Sequence, residues 1–335
     1  MTTENGTPLF RYAKGCGKKI NTKSAKGAYL VAQYPYLSLN EYYRNLFGRK
    51  TAKISLDGGF TCPNRDGTLS TGGCIFCSAG GSGDFAEDAT LSIAQQIEKG
   101  KAQTQKKWPN ACYIAYFQAF TNTYAPVEVL RQKYEEALAQ PEISGISIAT
   151  RADCLGADVL NLLGELSLKT KVWVELGLQT ANEDTASFIR RGYPNKIFIE
   201  SAQRLHHIHI PVIAHVILGL PNETMEDMLN TIDFINRLPI HGIKLQLLHV
   251  LAHTDLAALY ESGAYIPLEQ EEYLEILCRC IQRLRPDIVI YRLTGDGDKS
   301  ILLAPLWSLR KRESLNRLHQ MLREKKIQQG NSDCP

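Results

Sequence analysis

Long apolar runs are missing from this sequence: none approaches the roughly 20 residues that cross a bilayer as a helix. The first residues, Met-Thr-Thr-Glu-Asn-Gly, carry no charged stretch leading into an apolar one, so no secretory signal is read there. These two absences set the expectation of a cytoplasmic protein with no membrane partner. Cysteine is too scarce for a disulfide-stapled scaffold, with nine in 335 residues, and nine is odd. In a cytoplasm the default state of each is a free thiol or a metal ligand. Histidine is absent until His206, which leaves any cysteine site in the first two hundred residues without a local histidine ligand. Internal repeats and low-complexity tracts are also absent. What is present, 44% hydrophobic and 22% charged residues, suits an ordinary globular protein. The length allows one barrel-sized domain with short extensions.

The net charge of +3 hides an uneven distribution. Residues 1–60 hold ten Lys/Arg against three Asp/Glu, and residues 310–335 hold seven against three. Taking +7 and +4 from the total leaves −8 for residues 61–309. Basic ends on an acidic body suggest a polyanionic partner such as nucleic acid. A pair of solvated tails explains the same counts.

After a basic, Gly/Lys-rich arm over residues 1–35, short apolar runs alternate with amphipathic stretches. Strands are expected at Ala52–Leu56, Tyr113–Phe117, Ile146–Ala149, Val172–Leu178, Val212–Leu218 and Ile243–Leu248. Helices are expected near Leu91–Gln105, Val127–Ala139, Gly156–Leu168, Asn195–His207 and Met225–Leu238. This rhythm implies parallel strands with crossover helices. Six strands are too few to close an eight-stranded barrel, so the expected fold is α/β, a partial (β/α)6 TIM-type barrel over residues 36–250. Residues 251–335 then form a C-terminal α+β extension: a helix at Leu268–Leu284, a strand at Ile288–Leu293 and a basic terminal helix at Leu309–Lys326. In βα barrels the chemistry sits at the C-terminal ends of the strands, so the residues just after each strand carry the functional expectation.

Six cysteines read as ordinary. Cys112 and Cys154 lie in or beside apolar runs, Cys278 and Cys280 point apart on one helix, and Cys16 and Cys334 lie in the tails. The other three follow the first strand. Asp57-Gly58-Gly59-Phe60-Thr61-Cys62-Pro63-Asn64-Arg65-Asp66-Gly67 leads into Gly72-Gly73-Cys74-Ile75-Phe76-Cys77. The close pair Cys74 and Cys77 can reach one metal centre, and the glycines let the chain wrap back to bring in Cys62. Three thiolates leave one iron of a four-iron cluster open to a small molecule. A structural zinc site needs a fourth Cys or His, and no histidine is at hand.

The cysteine segment resembles the radical S-adenosylmethionine (SAM) superfamily, and within it the YhcC/YtqA-type subgroup related to the Elongator catalytic subunit. The gap of eleven residues before Cys74 departs from the superfamily's usual three and matches the wide-gap subgroup. The resemblance covers residues 38–320. It implies that Cys62, Cys74 and Cys77 hold a [4Fe–4S] cluster whose open iron is chelated by SAM. It also implies reductive cleavage of SAM to a 5′-deoxyadenosyl radical, and an electron donor such as ferredoxin or flavodoxin.

Further strand ends extend the resemblance. Gln118, Thr121 and Asn122 follow the second strand, where relatives contact the methionine amino group. Thr150-Arg151-Ala152-Asp153 follows the third strand, and Glu175-Leu176-Gly177-Leu178-Gln179-Thr180 ends the fourth. The resemblance places Gln179 near the SAM ribose, Arg191 at its carboxylate, Arg151 in contact with it, and the edge at Ile217 against adenine. A planar guanidinium fork suits a carboxylate; a structural ion pair is the alternative for both arginines. Glu175 reads equally as a barrel-interior ion-pair partner, and His215 as a satisfied core histidine. Arg292, Thr294 and Asp296 either face the substrate or form a surface turn. The resemblance and the basic ends point to a tRNA substrate, a wobble-uridine side chain. A small metabolite or peptide is the rival substrate, and a metal-bearing RNA-binding protein without catalysis the rival class.

Overall fold

The structure, a computed structural model, describes residues 34–331 apart from 82, 84 and 85, together with two short strands before them. Those strands, β1 (Thr22–Lys23) and β2 (Tyr29–Leu30), pair antiparallel with Thr22 opposite Leu30. Apart from these strands, Tyr34 and Pro35, the basic arm expected over residues 1–35 lies outside the described residues, as do Cys16 and Cys334.

From Tyr34 the chain runs α1 (Leu39–Phe47), β3 (Thr51–Leu56), α2 (Ile93–Gln105), β4 (Cys112–Phe117), α3 (Val127–Leu138), β5 (Ile143–Thr150), α4 (Ala157–Ser167) and β6 (Lys171–Gln179). It continues with α5 (Glu183–Phe188), α6 (Asn195–His207), β7 (Val212–Leu218), α7 (Met225–Asn236), β8 (Gly242–Leu247) and β9 (Val250–Leu251). The last elements are α8 (Asp255–Glu261), α9 (Gln270–Arg283), β10 (Val289–Arg292), β11 (Leu302–Ala304) and α10 (Lys311–Glu324). Strands β3 to β8 and β10 form one parallel sheet in the order β10-β8-β7-β6-β5-β4-β3.

The α/β partial barrel is therefore present, with seven strands where the sequence reading counted six. The strand at Ile288–Leu293, assigned to the extension, joins the sheet beside β8 instead. The cause is the connection: two helices and a long loop separate β8 from β10, which breaks the βα rhythm in sequence but not in space. Local signals set the helix starts. Ser92 and Thr224 cap α2 and α7 as capping boxes with Gln95 and Asp227. Gly100 on α2 allows the side chain of Ile54 on β3 to approach, since a β-carbon there would stand 2.4 Å from it.

The inward face of the barrel is layered. Ile114, Trp173, Ile213, Val289 and Tyr291 pack with Tyr43 of α1 into one apolar cluster. Two residues further along β4, β6 and β7, on the same face, stand Tyr116, Glu175 and His215. Beyond them come the strand ends. β9 and β11 pair antiparallel beside those ends and bring Leu251 to the cavity they enclose.

The basic terminal helix forms as expected, but many of its cations are committed to the protein. Arg317 reaches Glu271 at 2.9 Å, and Lys325 pairs with Glu275, both acids lying on α9. Leu318, Met321 and Leu322 bury its other face. Among the described residues no helix is long and apolar enough to cross a membrane.

Candidate active site

Cys62, Cys74 and Cys77 line a single cavity of about 250 Å³ at the C-terminal ends of the strands. All three are half-buried thiols outside any disulfide. The loop that carries them is pinned from several sides. Arg65 donates to the carbonyl oxygens of Cys77, at 3.0 Å, and of Ser78. Asn64 Nδ2 donates to the Arg190 carbonyl at 2.7 Å and lies 3.6 Å from Cys74 Sγ. The Ile75 amide and carbonyl bond to Ile189 and Leu256. Gly192, at φ +86°, completes the fit: a β-carbon there would stand 2.9 Å from Asn64 Oδ1 and 3.0 Å from Arg151 Nη2. Burial pushes the Cys74 thiol up to about 12, with Cys77 acting in the same direction and the Asn64 hydrogen bond opposing it.

Among the described residues no three such donors stand close enough together to hold a single ion. Three thiols spaced around one cavity suit a polynuclear iron–sulfur group better than a lone zinc.

Gln118, Thr121, Arg151, Gln179, Arg191 and Ile217 line the same cavity. Gln179 stands out. Its backbone is left-handed, at φ +62°, beside an irregularity in the β6–β7 pairing, and its buried Oε1 has no partner. An orphaned acceptor at a strained position facing a cavity fits a polar ligand. Asn122 does not reach the cavity. It is fully buried and its amide donates to the Ala149 carbonyl at 2.9 Å, so it braces β5.

The two arginines are largely spent on the protein. Arg191 donates to the carbonyls of Tyr193 (2.8 Å), Leu178 (3.0 Å) and Thr180 (2.9 Å), and to Glu183 at 3.1 Å. Arg151 grips Asp153 with both arms of its fork, at 2.9 and 2.7 Å, and donates to the Arg191 carbonyl. The structural alternative therefore describes their visible bonds. They stitch β5 and β6 to the turn that backs the cysteine loop.

Below the strand ends lies a charged layer that sequence reasoning saw only in part. Glu175 is completely buried and pairs with Lys53, with Lys244, with His215 Nε2 at 2.7 Å and with Ser147 Oγ at 2.6 Å. Lys244 Nζ also donates to Tyr116 Oη at 2.9 Å. Burial alone would raise the Glu175 carboxyl, but Lys244 and Lys53 outweigh it and hold the group ionised. Burial, then Lys244, presses His215 down to about 4, so the imidazole is neutral. Burial likewise presses Lys244 down to about 7. Lys53 and Lys244 were missed. The available signal was a lysine in the middle of each apolar strand, at Ala52-Lys53-Ile54 and Ile243-Lys244-Leu245.

Arg292 and Asp296 face the cavity, while Thr294 is buried outside it. Gly295 and Gly297 pack on the ring of His249, which itself lines the cavity, while Asp296, Lys299 and Ser300 of the segment are exposed.

With this geometry in place, the comparisons with known proteins are specific. Residues 64–235 match the Radical SAM superfamily model, and residues 240–324 match the Radical SAM C-terminal domain. The chain is 45% identical over 295 residues to YtqA of Bacillus subtilis (strain 168), covering 88% of this chain and 92% of that one. It is 35% identical over 285 residues to YhcC of Escherichia coli (strain K12), covering 84% and 90%. Elongator complex protein 3 of Dictyostelium discoideum is 28% identical over 168 residues, 49% of this chain and 29% of that one. The archaeal Methanocaldococcus infernus Elp3 structure shares the fold, with a TM-score of 0.64 at 15% identity over 83% of this chain and 64% of that one. The chain belongs to the radical SAM superfamily and is a radical SAM enzyme, with a [4Fe–4S] cluster and SAM as its cofactors.

Proposed function

We propose that Cys62, Cys74 and Cys77 hold the [4Fe–4S] cluster, that SAM lies along Gln118, Thr121, Gln179 and Ile217, and that the substrate is a tRNA wobble-uridine side chain. The observation that carries the site is the convergence of three half-buried thiols and the unpartnered Gln179 Oε1 on one cavity. When bound, the two cofactors supply a 5′-deoxyadenosyl radical that takes a hydrogen atom from the substrate.

The chain's own groups do the positioning. Each thiol gives up its proton to become a ligand, and Asn64 steadies Cys74 in doing so. Arg65 holds the returning limb of the loop through the Cys77 and Ser78 carbonyls. Arg151 and Arg191 act as positioning residues, since their forks are committed to Asp153, to Glu183 and to backbone carbonyls. Leu251 and His249 wall the cavity beside β9, which restricts water at the reacting atoms. An electron donor of the ferredoxin or flavodoxin kind completes the cycle.

The RNA reading draws on the basic ends of the chain and on the similarity to Elongator complex protein 3. Mass spectrometry of tRNA nucleosides from a deletion strain tests it: one wobble-uridine derivative disappears and its precursor accumulates. An unchanged nucleoside profile overturns the tRNA substrate. It would favour the second reading, a small metabolite or peptide, to which the pairing of Arg317 and Lys325 with α9 acids lends weight.

A further inference from the structure

We propose that the floor of the cavity binds a singly charged oxyanion of the substrate, a carboxylate or a phosphodiester, on the surplus positive charge of Lys53, Lys244 and Arg292. The inference rests on reading this cavity as the substrate's.

Charge does not balance on the cavity floor. Two ammonium groups, Lys53 and Lys244, meet one carboxylate, Glu175, in a layer where Glu175 has no exposure at all. The remaining members, Ser147, Tyr116 and the neutral His215, add no charge. With Lys244 protonated the layer carries +1, and an anion beside that ammonium favours its charged form. Arg292 stands opposite Lys244 in the β10–β8 register and lines the same cavity. Its acidic partner, Asp296, is 3.7 Å away and is held at 2.7 Å by Lys311. Including that pair leaves four cations against two carboxylates, a surplus of two.

A closed structural ion-pair network gains nothing from an extra buried lysine, because an uncompensated charge out of water costs several kcal/mol. The downward pressure on Lys244 is the sign of that cost. The surplus is also reachable. Lys244, His215, Glu175 and Arg292 all line the cavity, and two of the three Lys244 N–H groups are used within the protein. A singly charged oxyanion between Lys244 and Arg292 neutralises the inner layer's excess of one and seats the substrate beneath the strand ends.

The test is calorimetric titration of the SAM-loaded holoenzyme with acetate and, separately, with dimethyl phosphate, at constant ionic strength against chloride. The expected result is saturable binding of at least one anion; acetate alone identifies a carboxylate, dimethyl phosphate alone a phosphodiester. Lys244→Met is expected to weaken it by about ten-fold or more, and Arg292→Gln by about three-fold or more. If Lys244→Met fails to fold, Arg292→Gln decides, because that side chain is half-buried and its loss leaves no buried charge unpaired. Three results overturn the proposal: no binding above chloride, binding undiminished in the folded variants, or anions that compete with SAM, which makes the floor a seat for SAM's own carboxylate. The titration reads no SAM cleavage, so its failure leaves the cluster assignment standing.

Discussion

Two successive layers inside the barrel differ as sharply as any two regions of this molecule. In the lower one Ile114, Trp173, Ile213, Val289 and Tyr291 close on Tyr43 of α1. Two residues further along the strands the same inward face turns to Tyr116, Glu175 and His215, with Lys53 and Lys244 pressed onto the glutamate. The lower layer does what a barrel core ordinarily does: it removes apolar surface from water and locks strand packing. The upper layer is a poor way to stabilise a fold, since desolvating three charged groups costs as much as their attraction returns. Its place directly below the cysteine loop suggests that stability was given up there for a site.

The comparison breaks if the layers respond alike to mutation. Trp173→Ala in the lower layer is expected to lower unfolding free energy by about 3–5 kcal/mol in urea denaturation, from lost burial plus the cavity left behind. Glu175→Leu alone is expected to cost a similar amount, about 3–5 kcal/mol, because it strands two buried ammonium groups. The combination Lys53→Met, Glu175→Leu and Lys244→Met then separates the layers. It is expected to match or exceed wild-type stability while abolishing anion binding. A triple variant as unstable as Glu175→Leu means that the charged layer holds the fold together.

A smaller effect sharpens the contrast through pH. His215 titrates near 4 in the folded protein against about 6.5 unfolded. Between those values the unfolded chain binds a proton that the folded chain refuses, so stability is lost as pH falls from about 6.5 to about 4. His215→Gln is expected to remove on the order of 3 kcal/mol of that acid-limb loss. His241, which contacts the Tyr42 and Tyr291 rings and is also pressed down to about 4, leaves the rest of the limb in place. Urea melts of both proteins at pH 7 and pH 4.5 give the difference, and parallel pH slopes contradict it.

The same layering explains what the sequence could say. Period-two apolar runs and their crossover helices were legible, as was the cysteine loop, because both are local patterns. The seventh strand was not, since β10 finds β8 only after α8 and α9 have intervened. The charged layer was half legible. Glu175 and His215 drew notice inside recognisable strand ends, whereas Lys53 and Lys244 acquire meaning only when β3 and β8 bring them to one carboxylate. Arg151 and Arg191 show the opposite limit: their positions suited a ligand, but which groups their forks grip depends on how the turn after β6 folds back. Asn122, one residue past the cavity wall at Thr121, turned to the Ala149 carbonyl for the same reason.

The central claim is that the loop after β3 carries the cluster. Anaerobic reconstitution of single variants, followed by quantification of 5′-deoxyadenosine, tests it most directly. Cys62→Ala, Cys74→Ala and Cys77→Ala are each expected to abolish SAM cleavage, since each removes one of only three protein ligands. Cys112→Ala is expected to cleave SAM as the wild type does, because that thiol is buried against Thr51 and the Lys50 carbonyl at the far end of the strands. Product from the Cys74→Ala protein would contradict the account.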